Sequence, residues 1–309
     1  MTVPTKKPRR RVHGVLLLDK PGGMSSNAAL QKARWLFNAA KAGHTGTLDP
    51  MATGLLPLCF GEATKFAGVL LGADKCYEAS IGLGVRTDTG DAEGQVLEQR
   101  PVAVSAEDIA AVLARHTGDI LQVPPMYSAL KRDGKPLYEY ARQGVELERQ
   151  ARPVSIHTLT LLSRVGDVLR VVVDCSKGTY IRTLAEDIGA ALGCGGHLTA
   201  LRRTRIGRLQ LAQAITLDAL EAMSPEARDA ALRPMDGLLA ELPQIMLDAQ
   251  AALRFGHGQA VTVAQDGVAG PEGQVRVYAD KQFLGLGRSL ADGRVAPERL
   301  VVSDLPSVD

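Results

Sequence analysis

The residues best suited to chemistry lie in the segment Gly43-His44-Thr45-Gly46-Thr47-Leu48-Asp49-Pro50-Met51-Ala52-Thr53-Gly54. Glycines, threonines and a proline around one carboxylate predict a tightly turned loop whose backbone is held by short polar side chains. Asp-Pro by itself commonly just opens a turn. His44, five residues before Asp49, gives the same loop an imidazole, and rigid loops are a usual support for reactive groups. No second carboxylate is apparent beside Asp49, so two-carboxylate glycosidase chemistry is not supported.

Arg182 is the second candidate. It follows Cys175-Ser176-Lys177-Gly178-Thr179-Tyr180-Ile181, a strand-to-helix passage, and falls in the first helical turn, where the helix dipole disfavours a bare cation. It is either exposed or paired with a buried carboxylate. A third feature is Leu201 to Arg208, with four arginines in seven residues and no acid. Such a cluster is a candidate for phosphate binding, through Arg202, Arg203 and Arg205; pairing with surface acids is the alternative. Asp88 to Gly94 resembles a calcium loop but has Gly90 and Ala92 at ligand positions, so a solvated acidic turn is expected. Gly82-x-Gly84 lacks the third glycine of a dinucleotide fingerprint, and there is no phosphate-binding G-x-x-x-x-G-K-[ST]. No Cys-x-x-Cys or His-x-x-x-His pair occurs, and no metal is expected.

The elements that must position these groups follow from periodicity. Gly14 to Leu18 reads as a buried strand, and Ser25 or Ser26 caps a helix with Leu30, Ala33 and Phe37 on one face and Gly43 just past its end. Tyr77, Ala79, Ile81 and Leu83 alternate as in a strand, and Ser105 with Asp108 forms a capping box. Val171 to Val173 reads as a strand leading to a helix with Ile181, Leu184, Ala185, Ile188 and Leu192 on one face. Residues 122–153 hold four prolines, six basic and four acidic residues and three tyrosines, the composition of a mobile polar excursion. A mixed α/β core is therefore expected over residues 14–242, after a flexible basic arm at 1–13. Glycine-separated alternating runs then predict a small β-rich domain over 243–309.

Composition bounds the function. At 309 residues with 45% apolar and 23% charged, the chain can bury a large core, and disorder is excluded. A net charge of +2 makes any nucleic-acid surface a local patch, with Lys131, Arg132 and Lys135 adding to the arginine cluster. RNA or DNA is the leading partner class. The apolar run Val15 to Leu18 is too short for a signal-peptide core, and no stretch approaches a membrane span; the four unclustered cysteines fit a reduced, cytoplasmic setting.

The loop around Asp49 closely resembles the catalytic motif of the bacterial tRNA pseudouridine synthase B family, also called TruB. The resemblance extends to Leu16 through Asn27, Lys75-Cys76-Tyr77, Leu83 to Asp91, Met126 to Lys131, Tyr138 to Gly144, Cys175 to Thr183 and Gly193 to Arg203. Gly293 to Leu300 is similar to the family's small PUA-like RNA-binding domain.

This resemblance implies an α/β pseudouridine synthase fold, a mixed sheet flanked by helices, with a C-terminal PUA-like domain. It implies isomerisation of uridine 55 in the tRNA T-loop to pseudouridine, without a cofactor. Asp49 would be the nucleophile or assist C1′ chemistry, Tyr77 would stack on the base and act as general base, and Arg182 would pair with Asp49 and keep it ionised. His44 would fill the space left by the flipped nucleotide, Tyr180 and Leu201 would line the pocket, and Lys20 with Pro21 would pack beneath it. The insertion at 122–153 would grip the T-arm of elongator tRNAs. A monomer needing no protein partner and no membrane is expected. The alternatives are a guided, dyskerin-type synthase and a tRNA-folding chaperone.

Overall fold

The structure, a computed structural model, describes residues 8–263 and 273–301. Lys6 and Lys7 of the basic arm and the last eight residues of the C-terminal domain lie outside the described residues. In chain order the first elements are β1 (Gly14–Lys20), α1 (Ser26–Leu36), β2 (Ala42–His44), β3 (Thr53–Phe60) and β4 (Lys75–Leu83). A short hairpin of β5 (Val85–Thr87) and β6 (Val96–Gln99) precedes α2 (Ala106–Arg115) and β7 (Gly118–Gln122). The excursion contains the two-residue strands β8 (Lys131–Arg132) and β9 (Lys135–Pro136) and the helix α3 (Leu137–Arg142). β10 (Arg152–Val165), β11 (Val168–Cys175), α4 (Ile181–Ala191) and β12 (Gly196–Ile206) complete the centre of the fold.

The main sheet runs in the order β1, β3, β12, β4, β11, β10, β7, with β2 on the side of β3. β3 and β12 are parallel, and the other neighbours in that path are antiparallel. The mixed pairing is what puts the loop that follows β2 next to the start of α4, although about 130 residues separate them in sequence. Ile81, Val171, Ile188, Leu184 and Leu198 are buried in one cluster between the sheet and its helices. Apolar side chains at period two on the strands and at helical spacing on α4 produce that cluster.

Two local expectations change and one holds. The first helix stops at Leu36, because Asn38 takes a left-handed turn (φ 49°) that the α-helix cannot accommodate; Gly43 instead lies within β2. Residues 8–13 are not a free arm. The Arg10 amide donates to Asn38 O at 2.7 Å, its guanidinium meets Asp229 at 2.5 Å, and Val12 is buried. The capping box at Ser105 and Asp108 forms as its spacing predicts.

The second sheet begins at β-strand Gln244–Leu247 and holds five strands packed on helix Ala249–Gly256. It abuts the first unit through an apolar cluster of Phe66, Leu239, Tyr278, Phe283, Leu286 and Val301, and the Lys65 ammonium donates to Leu300 O at 2.8 Å.

α4 lies so close to β12 that a Cβ at Gly189 would stand 2.2 Å from the Gly196 nitrogen. Gly189→Ala should therefore lower stability by about 1–3 kcal/mol through overpacking. Thermal unfolding checks this, and an unchanged Tm would contradict the close helix–strand packing.

Candidate active site

The loop that carries Asp49 is pinned by side chains from three different elements. Ser26, in the first turn of α1, is buried, and its hydroxyl accepts from Leu48 N at 2.7 Å and donates to Leu48 O at 2.9 Å. Lys20, at the end of β1, is fully buried and donates to Pro21 O, Met24 O and Pro50 O at 2.8, 2.5 and 3.3 Å. Arg203 of β12 donates to Thr47 O at 3.4 Å, Gly46 O at 3.3 Å and Leu55 O at 2.9 Å. The Ala52 amide closes the Asp49-Pro50 turn by donating to Asp49 O at 3.1 Å. Where β3 begins, Gly54 has φ +101°, and a Cβ there would lie 2.3 Å from Arg203 O. Only glycine lets the loop enter the sheet at that point.

Asp49 Oδ2 lies 3.1 Å from Arg182 Nε, with the Asp49 side chain 37% exposed and that of Arg182 6%. Of the two readings of Arg182, exposed or paired, the structure shows the paired one, with two acidic partners of which only the second is buried. Asp91 Oδ2 stands 3.7 Å from the same nitrogen and is as buried as the arginine. The remaining guanidinium nitrogens donate to Thr89 O at 3.2 Å and Tyr127 O at 2.7 Å. Asp91 is in turn fixed by the Thr89 hydroxyl at 2.6 Å and the Glu93 amide at 3.1 Å. The acidic stretch at Asp88 to Gly94 is thus not a solvated turn at its centre. β5 and β6 fold it under α4, where Asp91 needs a cation to be buried.

Burial pushes the Asp49 carboxyl above its ordinary value of 3.8, and the Asp91 charge adds to the rise; Arg182 and Lys20 work against it. Arg182 opposes the neutralisation of Asp49 that burial favours, without cancelling it. The Lys20 ammonium is lowered to about 8 by burial, with Asp49 opposing the fall.

Tyr77 sits on β4 directly across from Arg203 in the sheet register and is buried. Burial raises its hydroxyl, and the facing Arg203 charge draws it back down. His44 ends β2; its Nδ1 is buried without a hydrogen-bond partner, and burial together with Arg203 lowers the imidazole. Tyr180 is the residue before α4, its backbone held on both sides by the buried Gln122, which accepts from Tyr180 N at 3.0 Å and donates to Tyr180 O at 3.2 Å. Leu201 belongs to the core and also lines an open groove that reaches the Asp49 loop through Met51 and Thr53.

The arginine cluster divides. Arg203 is buried under the loop and its nitrogens are engaged, so it is withdrawn as a phosphate contact. Arg202 meets Asp19 at 2.7 Å, Arg205 meets Asp174 at 2.5 Å, and Arg208 meets Glu241 at 3.0 Å. Lys131 and Arg132 are exposed on the β8–β9 hairpin. Asp91, Ser26 and Gln122 escaped the sequence reading as site residues. For Asp91 and Ser26 the only signal was the run of matching motifs around Thr89-Gly90-Asp91 and Ser25-Ser26, in which no single residue stands out, and Gln122 lies outside every matching run. Among the described residues no three His, Cys, Asp or Glu side chains converge as a metal site would require. None of the described helices is long and apolar enough to cross a membrane.

Comparison with known proteins agrees with this arrangement. Residues 34–181 match the model of the TruB family pseudouridylate synthase N-terminal domain, and residues 182–240 and 243–301 match two TruB C-terminal models. The chain is 60% identical over 293 residues to a tRNA pseudouridine synthase B of Aromatoleum aromaticum, covering 95% of this chain and 94% of the relative. It is 58% identical over 310 residues to one of Burkholderia mallei, covering 98% and 99%. Among solved structures, a chain of a Cbf5-Nop10-Gar1 complex superposes with a TM-score of 0.68 at 29% identity, over 90% of this chain and 78% of that one. A carboxylate on a clamped loop, held by a buried arginine at the start of α4, thus agrees with the full-length sequence match, and the chain belongs to the TruB family of pseudouridylate synthases.

Proposed function

We propose that the protein isomerises uridine 55 in the T-loop of tRNA to pseudouridine, with Asp49 as the catalytic carboxylate. The observation that carries this reading is the partly exposed Asp49 side chain held at 3.1 Å by a buried arginine, on a loop pinned from three sides. The relatives named for tRNA cover nearly the whole chain, which favours tRNA over a guide-dependent substrate.

The rearrangement breaks the bond from C1′ to N1, turns the uracil and joins C1′ to C5; a proton leaves C5 and N1 takes one up, so the product is an isomer of the substrate. No oxidation state changes, so the reaction calls for no redox cofactor. Arg182 engages Oδ2 of Asp49, which leaves Oδ1 to face the nucleotide. A nucleotide stacked in the T-loop must be flipped out to reach this carboxylate, at a cost of a few kcal/mol. His44, half-buried with an unpartnered Nδ1 at the loop's edge, is the group to occupy the vacated space and offset part of that cost by stacking and hydrogen bonding. Tyr77 supplies an aromatic wall and the proton acceptor for C5, a role that burial of its hydroxyl opposes and the Arg203 charge supports. Tyr180 and Leu201 border the base, and Lys20 holds the floor through Pro50.

The exposed Lys131 and Arg132 meet RNA phosphates, as do Arg202 and Arg205 at the edges of their ion pairs. We read the protein as a cytoplasmic monomer acting without a protein partner; its four free cysteines fit a reducing compartment.

Tritium release from C5-tritiated uridine in an unmodified tRNA transcript is the test. Wild type should release tritium, and a transcript with cytidine at position 55 should give none. Asp49→Asn should lose at least about 10⁴-fold in rate, as removal of a nucleophile does, while filter binding of tRNA persists. Release by Asp49→Asn at the wild-type rate would exclude the assignment.

The pH dependence follows from the charges around Asp49. Activity falls as Asp49 is protonated, so the acid limb lies above 3.8 in the wild type, where burial and Asp91 both raise the carboxyl. Asp91→Asn removes one raising charge and leaves Arg182 to Asp49 alone, so the limb should move to lower pH. A limb that stays in place or moves up in single-turnover profiles would show that Asp91 does not act on Asp49.

A further inference from the structure

Two arginines are buried among the described residues, Arg182 and Arg203. Arg182 lies between two carboxylates, whereas Arg203 makes no ion pair among the described residues. Its guanidinium is spent on the carbonyls of Leu55, Thr47 and Gly46, and Tyr77 stands opposite it on the neighbouring strand. Removing a cation from water without a counter-ion is costly, and an apolar side chain would fill the position without that cost. Packing alone therefore does not call for arginine here.

The backbone explains how one side chain reaches both groups. β12 is parallel to β3 with Arg203 opposite Gly54, and antiparallel to β4 with Arg203 opposite Tyr77. Arg203 thus stands between the strand that the catalytic loop enters and the strand that carries the tyrosine. Its fork of donors matches carbonyls that diverge from one loop, which a lysine's point charge cannot do.

We propose that Arg203 is a positioning residue for the reaction: its guanidinium holds the backbone two and three residues before Asp49 while its strand position sets it opposite Tyr77, so that carboxylate and phenol face the nucleotide as one fixed unit. This rests on the reading of Asp49 and Tyr77 given above. The groups that face Tyr77 are Arg203 from β12, Cys175 from β11 and Asp49 from the loop, and of these only Arg203 favours the phenolate. The same cation opposes protonation of His44 and Lys20, so its influence reaches the whole loop.

The experiment compares Arg203→Gln and Arg203→Lys with wild type in single-turnover tritium release, in tRNA binding over a range of salt, and in a phenolate difference titration against Tyr77→Phe. Displacing reacting groups by about 1 Å costs about 10²-fold in rate, so Arg203→Gln should lose at least that. Its tRNA Kd should stay within about threefold and its salt slope should not change, because a lost phosphate contact would lower that slope by about one. The Tyr77 titration should move to higher pH in Arg203→Gln and stay near wild type in Arg203→Lys. Arg203→Lys keeps the charge and loses the fork, so it should retain binding and still lose about tenfold or more in rate; it carries the test if Arg203→Gln does not fold. A wild-type rate in Arg203→Lys, an unmoved Tyr77 titration in a folded Arg203→Gln, or a loss confined to Kd and salt slope would each overturn the proposal. Wild-type release and its loss in Asp49→Asn, run alongside, report separately on the reading beneath it.

Discussion

One guanidinium shared by two carboxylates, that of Arg182 between Asp49 and Asp91, is the interaction on which the site depends. Removing one partner of a buried ion pair is strongly destabilising, because the charge left behind has neither water nor counter-ion. Arg182, at the start of α4, escapes this by meeting both carboxylates, while the backbone carbonyls of Thr89 and Tyr127 take its remaining donors. The same four contacts draw together the catalytic loop, the β5–β6 turn and the base of the insertion. Asp91 is therefore as much a part of the architecture as Asp49, and it leaves Asp49 exposed on the side where a substrate enters.

The electrostatic balance around that pair is uneven. The cations Lys20, Arg182 and Arg203 are all buried, whereas the acids Asp49, Asp91 and Glu93 around them include the partly exposed Asp49. Burial sets the cost of this arrangement: it lifts Asp49, lowers Lys20 and raises Tyr77 together. The loop is held by hydrogen bonds to its backbone from Ser26, Lys20 and Arg203, so the reactive side chain itself remains unencumbered except at Oδ2.

How much of this could be read in the sequence depends on range. Local signals held: the capping boxes and caps, the β4 alternation, and the position of Arg182 in the first turn of α4 all follow from periods of two and 3.6 and from single capping side chains. Asp91 was misread because its partner lies far along the chain, and an acidic turn with two glycines is indistinguishable by composition from a solvated one. The arginine cluster was misread for a different reason. Consecutive residues on a strand face opposite sides of the sheet, so Arg202 points toward Asp19 and the groove while Arg203 enters the core beneath the loop. Composition counts charges and cannot divide them between faces. The family resemblance pointed to Asp49 and to Lys20 beneath its loop, but not to Ser26 as a clamp on Leu48 or to Asp91 as the second partner of Arg182.

The claim that Asp91 works through Arg182 is tested most directly by a double-mutant cycle on the single-turnover rate, using Asp91→Asn, Arg182→Lys and the combined variant. Residues that act through one another give non-additive losses. The combined variant should be no slower than Arg182→Lys alone, within about threefold. Two independent losses that multiply in the combined variant would contradict the shared-guanidinium account.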